Sequence, residues 1–86
     1  MNKEEIEKIL KDNGLSEAEL IFKSNVKKLR VAAPGSPSMV DTAQAIGINY
    51  GTYRLIESLT PVNVKFETMD KIAHYYNVSV DVLFKI

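Results

Sequence analysis

Eighty-six residues allow one small core and leave little room for an enclosed substrate pocket. With no cysteine there is no disulfide framework, no thiolate metal site and no cysteine nucleophile, and a reducing cytoplasm is the expected setting. The 11 basic and 11 acidic side chains cancel, but unevenly: residues 1–22 hold Lys3, Lys8 and Lys11 against Glu4, Glu5, Glu7, Asp12, Glu17 and Glu19, whereas 23–86 hold eight basic and five acidic groups. No apolar run approaches the roughly 20 residues of a membrane helix, and the acidic start lacks the apolar stretch of a signal peptide, so no membrane partner is expected.

From Lys3 to Asn13, the residues Ile6, Ile9 and Leu10 recur at helical spacing, and Asn13-Gly14 closes the segment as a C-cap does. Ser16 with Glu19 forms a capping box that opens a second helix through Leu20, Phe22, Val26, Leu29 and Arg30 to about Ala33. Ser24-Asn25 equally fits a cap for a fresh helix, so two readings stand there. Two prolines and a glycine make Ala33–Ser38 a loop, best read as a plain linker. Ser38 then starts a helix, with Asp41 three residues on to return a capping bond, and Gly47 stops it. Asn49 caps the next helix, expected from about Asn49 to Leu59, with Tyr53 and Ile56 on one face and Gly51, Thr52 and Arg54 elsewhere. A loop over Leu59–Val64 carries Thr60-Pro61. Beyond it Phe66, Met69, Ile72, Ala73 and Tyr76 share a helical face expected to pack beneath the preceding pair of helices. Over Ser79–Phe84 the alternating valines suggest a strand, while Ser79 as a cap favours a short helix. We take the helix.

The stretch from Ser38 to Glu57 is thus helix, turn, helix, and the spacing of Ala43, Gly47, Ile48 and Ile56 resembles the helix-turn-helix of the phage repressor and Cro-like (XRE-type) family of DNA-binding proteins. A small residue at Ala43 lets the helices approach, Gly47 permits a left-handed turn, and Ile46, Ile48 and Ile56 fill the angle between them. Downstream, Phe66–Ala73 and Asn77–Phe84 look like that family's fourth and fifth helices, so the resemblance covers about Asn25 to Phe84. It implies an all-α domain, a five- or six-helix bundle containing a repressor-like helix-turn-helix, with residues 1–22 as an acidic helical extension. It also implies a sequence-specific DNA-binding transcriptional regulator, of repressor type, in the cytoplasm of a bacterium or a phage-infected host. No cofactor is expected. Control falls to protein concentration, a partner or proteolysis, because a chain of this size offers no obvious ligand pocket.

Carried over residue by residue, the resemblance places Met39, Tyr50, Gly51, Arg54 and Leu55 toward the major groove. Most are apolar or small; at Met39 a glutamine is more typical of the family. Hydrogen-bond readout then leans on Arg54, helped by Asn49, Thr52 and Tyr50, while Met39, Tyr50 and Leu55 suit thymine methyl groups. Lys27, Lys28, Lys65 and the hydroxyls of Thr52 and Thr60 are candidates for phosphate contact. For the cluster Lys27-Lys28-Arg30 as a whole, the solvated face of a helix is the favoured reading. Lone His74 reads as a surface histidine, since no metal-ligand spacing surrounds it. A single weak recognition helix reads few base pairs, so a symmetric dimer is expected, possible on DNA alone, through Ile6, Ile9 and Leu10 or through Val82–Ile86. The apolar recognition helix also sustains an alternative, a protein-binding regulator such as an antirepressor or adaptor docking Met39, Tyr50, Tyr53 and Leu55 into a partner protein. An enzyme is set aside: the chain shows no paired nucleophile and base and no glycine-rich phosphate loop.

Overall fold

In the computed structural model, which describes residues 2–86, the chain forms five α-helices and a closing 3₁₀ helix, with no strand among the described residues. The first helix, α1 (Lys3–Asn13), begins where the Asn2 side chain accepts the Glu5 amide at 2.8 Å and ends at Gly14, whose φ of 67° lets the backbone turn left-handed. None of its residues is buried; Ile6, Ile9 and Leu10 are half-covered.

Helix α2 (Glu17–Ala32) opens with the reciprocal box expected of Ser16 and Glu19, the two bonds measuring 3.1 and 3.3 Å. It runs unbroken through Ser24-Asn25, so the charge boundary at residues 22–23 falls inside a continuous helix. The Asn25 amide caps a different element, donating to the carbonyls of Leu83 and Lys85 at 2.9 and 2.7 Å. A side chain with a remote backbone partner no longer competes for its own, which is why the helix survives there.

Ser38 caps α3 (Met39–Ile46) by accepting the Asp41 amide at 3.1 Å. The return bond expected from Asp41 is not made, because an aspartate is one methylene shorter than the glutamate that closes a capping box. Gly47, at φ 90°, ends α3, and the amides of Gly47 and Ile48 both return to the Ala43 carbonyl at 2.9 Å. Asn49 then accepts the Thr52 amide and starts α4 (Tyr50–Glu57). This helix is shorter than the expected span to Leu59, since Ser58 closes it: its hydroxyl donates to the Leu55 carbonyl at 2.8 Å while its amide turns back to Arg54 and Leu55.

Helix α5 (Phe66–Tyr75) follows the proline loop and ends at Asn77, held at φ 55° with the Val78 amide returning to Ala73. The final element, Val80–Phe84, is the short helix and not the strand, although as a 3₁₀ turn. Ser79 does not cap it; its hydroxyl donates to the Asp81 carboxylate, which with Lys85 nearby holds that carboxyl below its ordinary range.

The core draws on every element except α1: Phe22 and Val26 from α2, Ala43 from α3, Tyr53 and Ile56 from α4, Ile72 and Ala73 from α5, and Leu83 from the 3₁₀ helix. Phe84 stacks on Phe22 with ring centroids 5.3 Å apart. Of the face expected along α5, Ile72 and Ala73 are buried and Met69 and Tyr76 half-buried, but Phe66 is 72% exposed. As the first residue of α5 it lies beyond the packed surface that the later turns share.

Candidate nucleic-acid interface

A helix of eight residues is too short to persist alone, so α4 depends on what grips its inner face. Tyr53 and Ile56 are completely buried there. Beside them the Glu57 carboxylate accepts Arg30 Nε at 2.7 Å, Arg30 Nη2 at 2.9 Å and the Tyr53 hydroxyl at 2.5 Å. The two-pronged guanidinium contact is the strong geometry for an ion pair, and the side chains are only 16% and 4% exposed. Arg30 Nη1 also donates to the Pro37 carbonyl at 3.1 Å, immediately before the cap of α3. One guanidinium therefore joins α2, α4 and the approach to α3. The hydrogen bond to Glu57 raises the Arg30 pKa, and burial with the same carboxylate drives the Tyr53 hydroxyl far up, so arginine stays charged and tyrosine neutral.

At the C-terminal end of α4, Lys23 Nζ donates to the Leu55 carbonyl at 2.8 Å and to that of Ile56 at 3.4 Å. These carbonyls belong to the negative end of the helix dipole, where a cation is stabilising. Burial nevertheless lowers the Lys23 pKa, with the Glu19 carboxylate acting weakly the other way. Of the cluster Lys27-Lys28-Arg30, Lys27 and Lys28 are exposed as expected of a solvated face, whereas Arg30 turns inward to Glu57; Lys23, outside that cluster, is buried as well. The signal was available in part: Lys23, Val26 and Arg30 follow one another at helical spacing beside Phe22.

The outer face of α4 is the converse. Asn49, Tyr50, Gly51, Thr52 and Arg54 are all exposed. Asn49 spends its side-chain oxygen on the Thr52 amide, leaving its NH₂ group outward as a donor. A Cβ at Gly51 would stand 3.1 Å from that capping oxygen, so the absence of a side chain protects the cap. Arg54 makes no ion pair among the described residues and borders a shallow depression of about 230 Å³ together with Lys27, Met39 and Ser58, above the Arg30–Glu57 pair. Met39 is half-buried and packs on the core as well as facing this depression. Around the N-terminal end of α4 a second depression, about 310 Å³, brings Asn49 and Thr52 together with Asn63, Lys65, Thr68 and Lys71.

The candidate residues thus border two depressions along α4, one at its N-terminal end and one beside Arg54, with some outliers. Lys28 lies elsewhere, bordering a groove with Leu29, Val82, Lys85 and Ile86. Thr60 follows the C-terminal end of α4, its amide donating to Ser58 Oγ at 3.1 Å, roughly one helix length (about 12 Å) from Asn49. Leu55 is half-buried. Lys71, Asn63 and Thr68 join the rim without having been singled out, because only the fold sets the α5 approach beside the start of α4. Ile6 and Ile86, from opposite ends of the chain, border a common groove with Leu20 and Ile21. No protein-family model matches this chain, and neither a curated protein nor a solved structure matches it.

Proposed function

We propose that this chain is a DNA-binding transcriptional regulator that presents the outer face of α4 to the major groove, as the resemblance of Ser38–Glu57 to phage repressor and Cro-like proteins implies. The observation that carries the reading is the division of α4: its inner face is locked by Arg30, Tyr53 and Ile56, while Arg54, Thr52, Tyr50 and the Asn49 amide stand outward with no protein partner needed to hold them. Arg54 is the group suited to a guanine edge. Lys27 beside Arg54, and Lys65 with Lys71 beside Asn49 and Thr52, supply cations for phosphate contact. Regulation is by occlusion, and two copies are needed for specificity; the groove shared by Ile6 and the fully exposed Ile86 is the apolar surface available for pairing.

The test is a salt-titrated binding measurement of the full chain on duplexes from its own locus. Each phosphate contact contributes a slope of about −0.9 in log K against log salt, so removing Lys65 should reduce the slope by about one and weaken all duplexes alike. Binding that no duplex distinguishes from random DNA overturns the reading. The exposure of Tyr50 (40%) favours a second one, a regulator docking a protein through Tyr50 with the half-buried Met39 and Leu55 but not through Tyr53, which is buried in the core; it would leave duplex binding absent and Arg54 without effect on it.

A further inference from the structure

Away from the outer face of α4, a cleft of about 480 Å³ opens between α2, the loop before α5 and the 3₁₀ helix, within the size range of small-molecule sites. Phe22, Val62, Val64, Met69 and Phe84 make its walls apolar, and Lys23 and Glu19 are the ionisable groups that border it. Lys23 is 3% exposed and has no carboxylate within ion-pairing distance among the described residues. Its ammonium has three donors, and two are engaged by the neutral carbonyls of Leu55 and Ile56. A nearly buried cation without a counter-ion is costly, and an anion brought to it supplies the opposite charge that the neutral carbonyls do not. Glu19 is committed to its own helix start, its carboxylate accepting the Ser16 amide, and its charge disfavours a ligand with more than one negative group.

We propose that this cleft is a binding site for a small apolar monocarboxylate, an aryl or branched acyl group carrying one carboxylate, with the carboxylate on the remaining Lys23 proton and the apolar body between Phe22, Val64, Met69 and Phe84. The proposal does not need the DNA-binding reading, because Lys23, Phe22, Met69 and Phe84 take no part in it, although Asn63 and Val64 border both this cleft and the depression at the start of α4. Through Lys23 it touches the C-terminal end of α4.

Titrating the full, ¹⁵N-labelled chain with phenylacetate and, separately, with the neutral phenylacetamide tests it by amide chemical shifts. Phenylacetate should saturate with shifts centred on Val62, Asn63, Val64, Met69 and Phe84. Phenylacetamide should bind at least about tenfold more weakly, the increment expected when a hydrogen bond gains a charged partner. Lys23→Met, which keeps the stem and removes the charge, should abolish the preference for the acid. The comparison of acid with amide on the unaltered protein decides the matter even if that variant does not fold. Equal affinity for the two compounds, shifts centred on Lys65 and Lys71, or no saturation up to about 10 mM phenylacetate overturns the proposal.

Discussion

The inner and outer faces of α4 differ in how their polar groups are satisfied. Inward, Glu57 has three donors, Tyr53 has Glu57, and the last carbonyls have Lys23, so every charge has an assigned geometry. Outward, Arg54 has no ion-pair partner among the described residues and Tyr50 is two-fifths exposed. A helix this short obtains its position from the first set, which leaves the second free to meet a ligand without unravelling the fold. Breaking the inner set should therefore cost stability, and altering the outer set should cost binding.

The largest effect should come from Arg30→Met. It strands the Glu57 carboxylate in a site 4% exposed, and removing one partner of such a pair costs about 3–5 kcal/mol in urea unfolding. A loss under about 1 kcal/mol would mean that the apolar contacts of Tyr53 and Ile56 suffice to hold α4. Arg54→Ala should do the reverse, leaving stability within about 0.5 kcal/mol while weakening the best duplex by about 1–3 kcal/mol and relaxing preference at one base pair. Equal loss in both measurements would erase the distinction between the faces. At the turn joining α3 to α4, Gly47→Ala meets no neighbouring atom but must hold φ at 90°, so about 1–2 kcal/mol of stability should disappear through backbone strain alone.

The smallest change concerns pH. Burial, reinforced by Glu57 for Tyr53, raises the hydroxyl pKa of both Tyr53 and Tyr76 above the ordinary 10.0. An acid raised on folding keeps its proton where the unfolded chain has lost it. Stability from these groups is thus fully present below pH about 10 and declines as pH climbs beyond it. Tyr53→Phe should cost about 1 kcal/mol at neutral pH and make the decline between pH 10 and 11 shallower in urea melts. A decline of unchanged steepness would show that Tyr53 is not the group responsible.

What the amino-acid sequence determined by itself is local. Ser16 with Glu19, Ser38, Gly47 and Asn49 set helix ends because a cap and its amide are within three or four residues of one another, and the α4 positions that turn inward follow from helical spacing. Distant pairings were decided only by the tertiary structure. Arg30 and Glu57 are 27 residues apart, Lys23 and Leu55 are 32 apart, and Asn25 reaches across 58 to Leu83. Lysine and arginine on a helix look alike whether they meet water or a buried carboxylate, and the free energy that separates those outcomes resides in the partner. For the same reason Phe66 satisfied the apolar pattern of α5 yet stayed exposed, since periodicity marks a face but not how far the neighbouring elements extend over it.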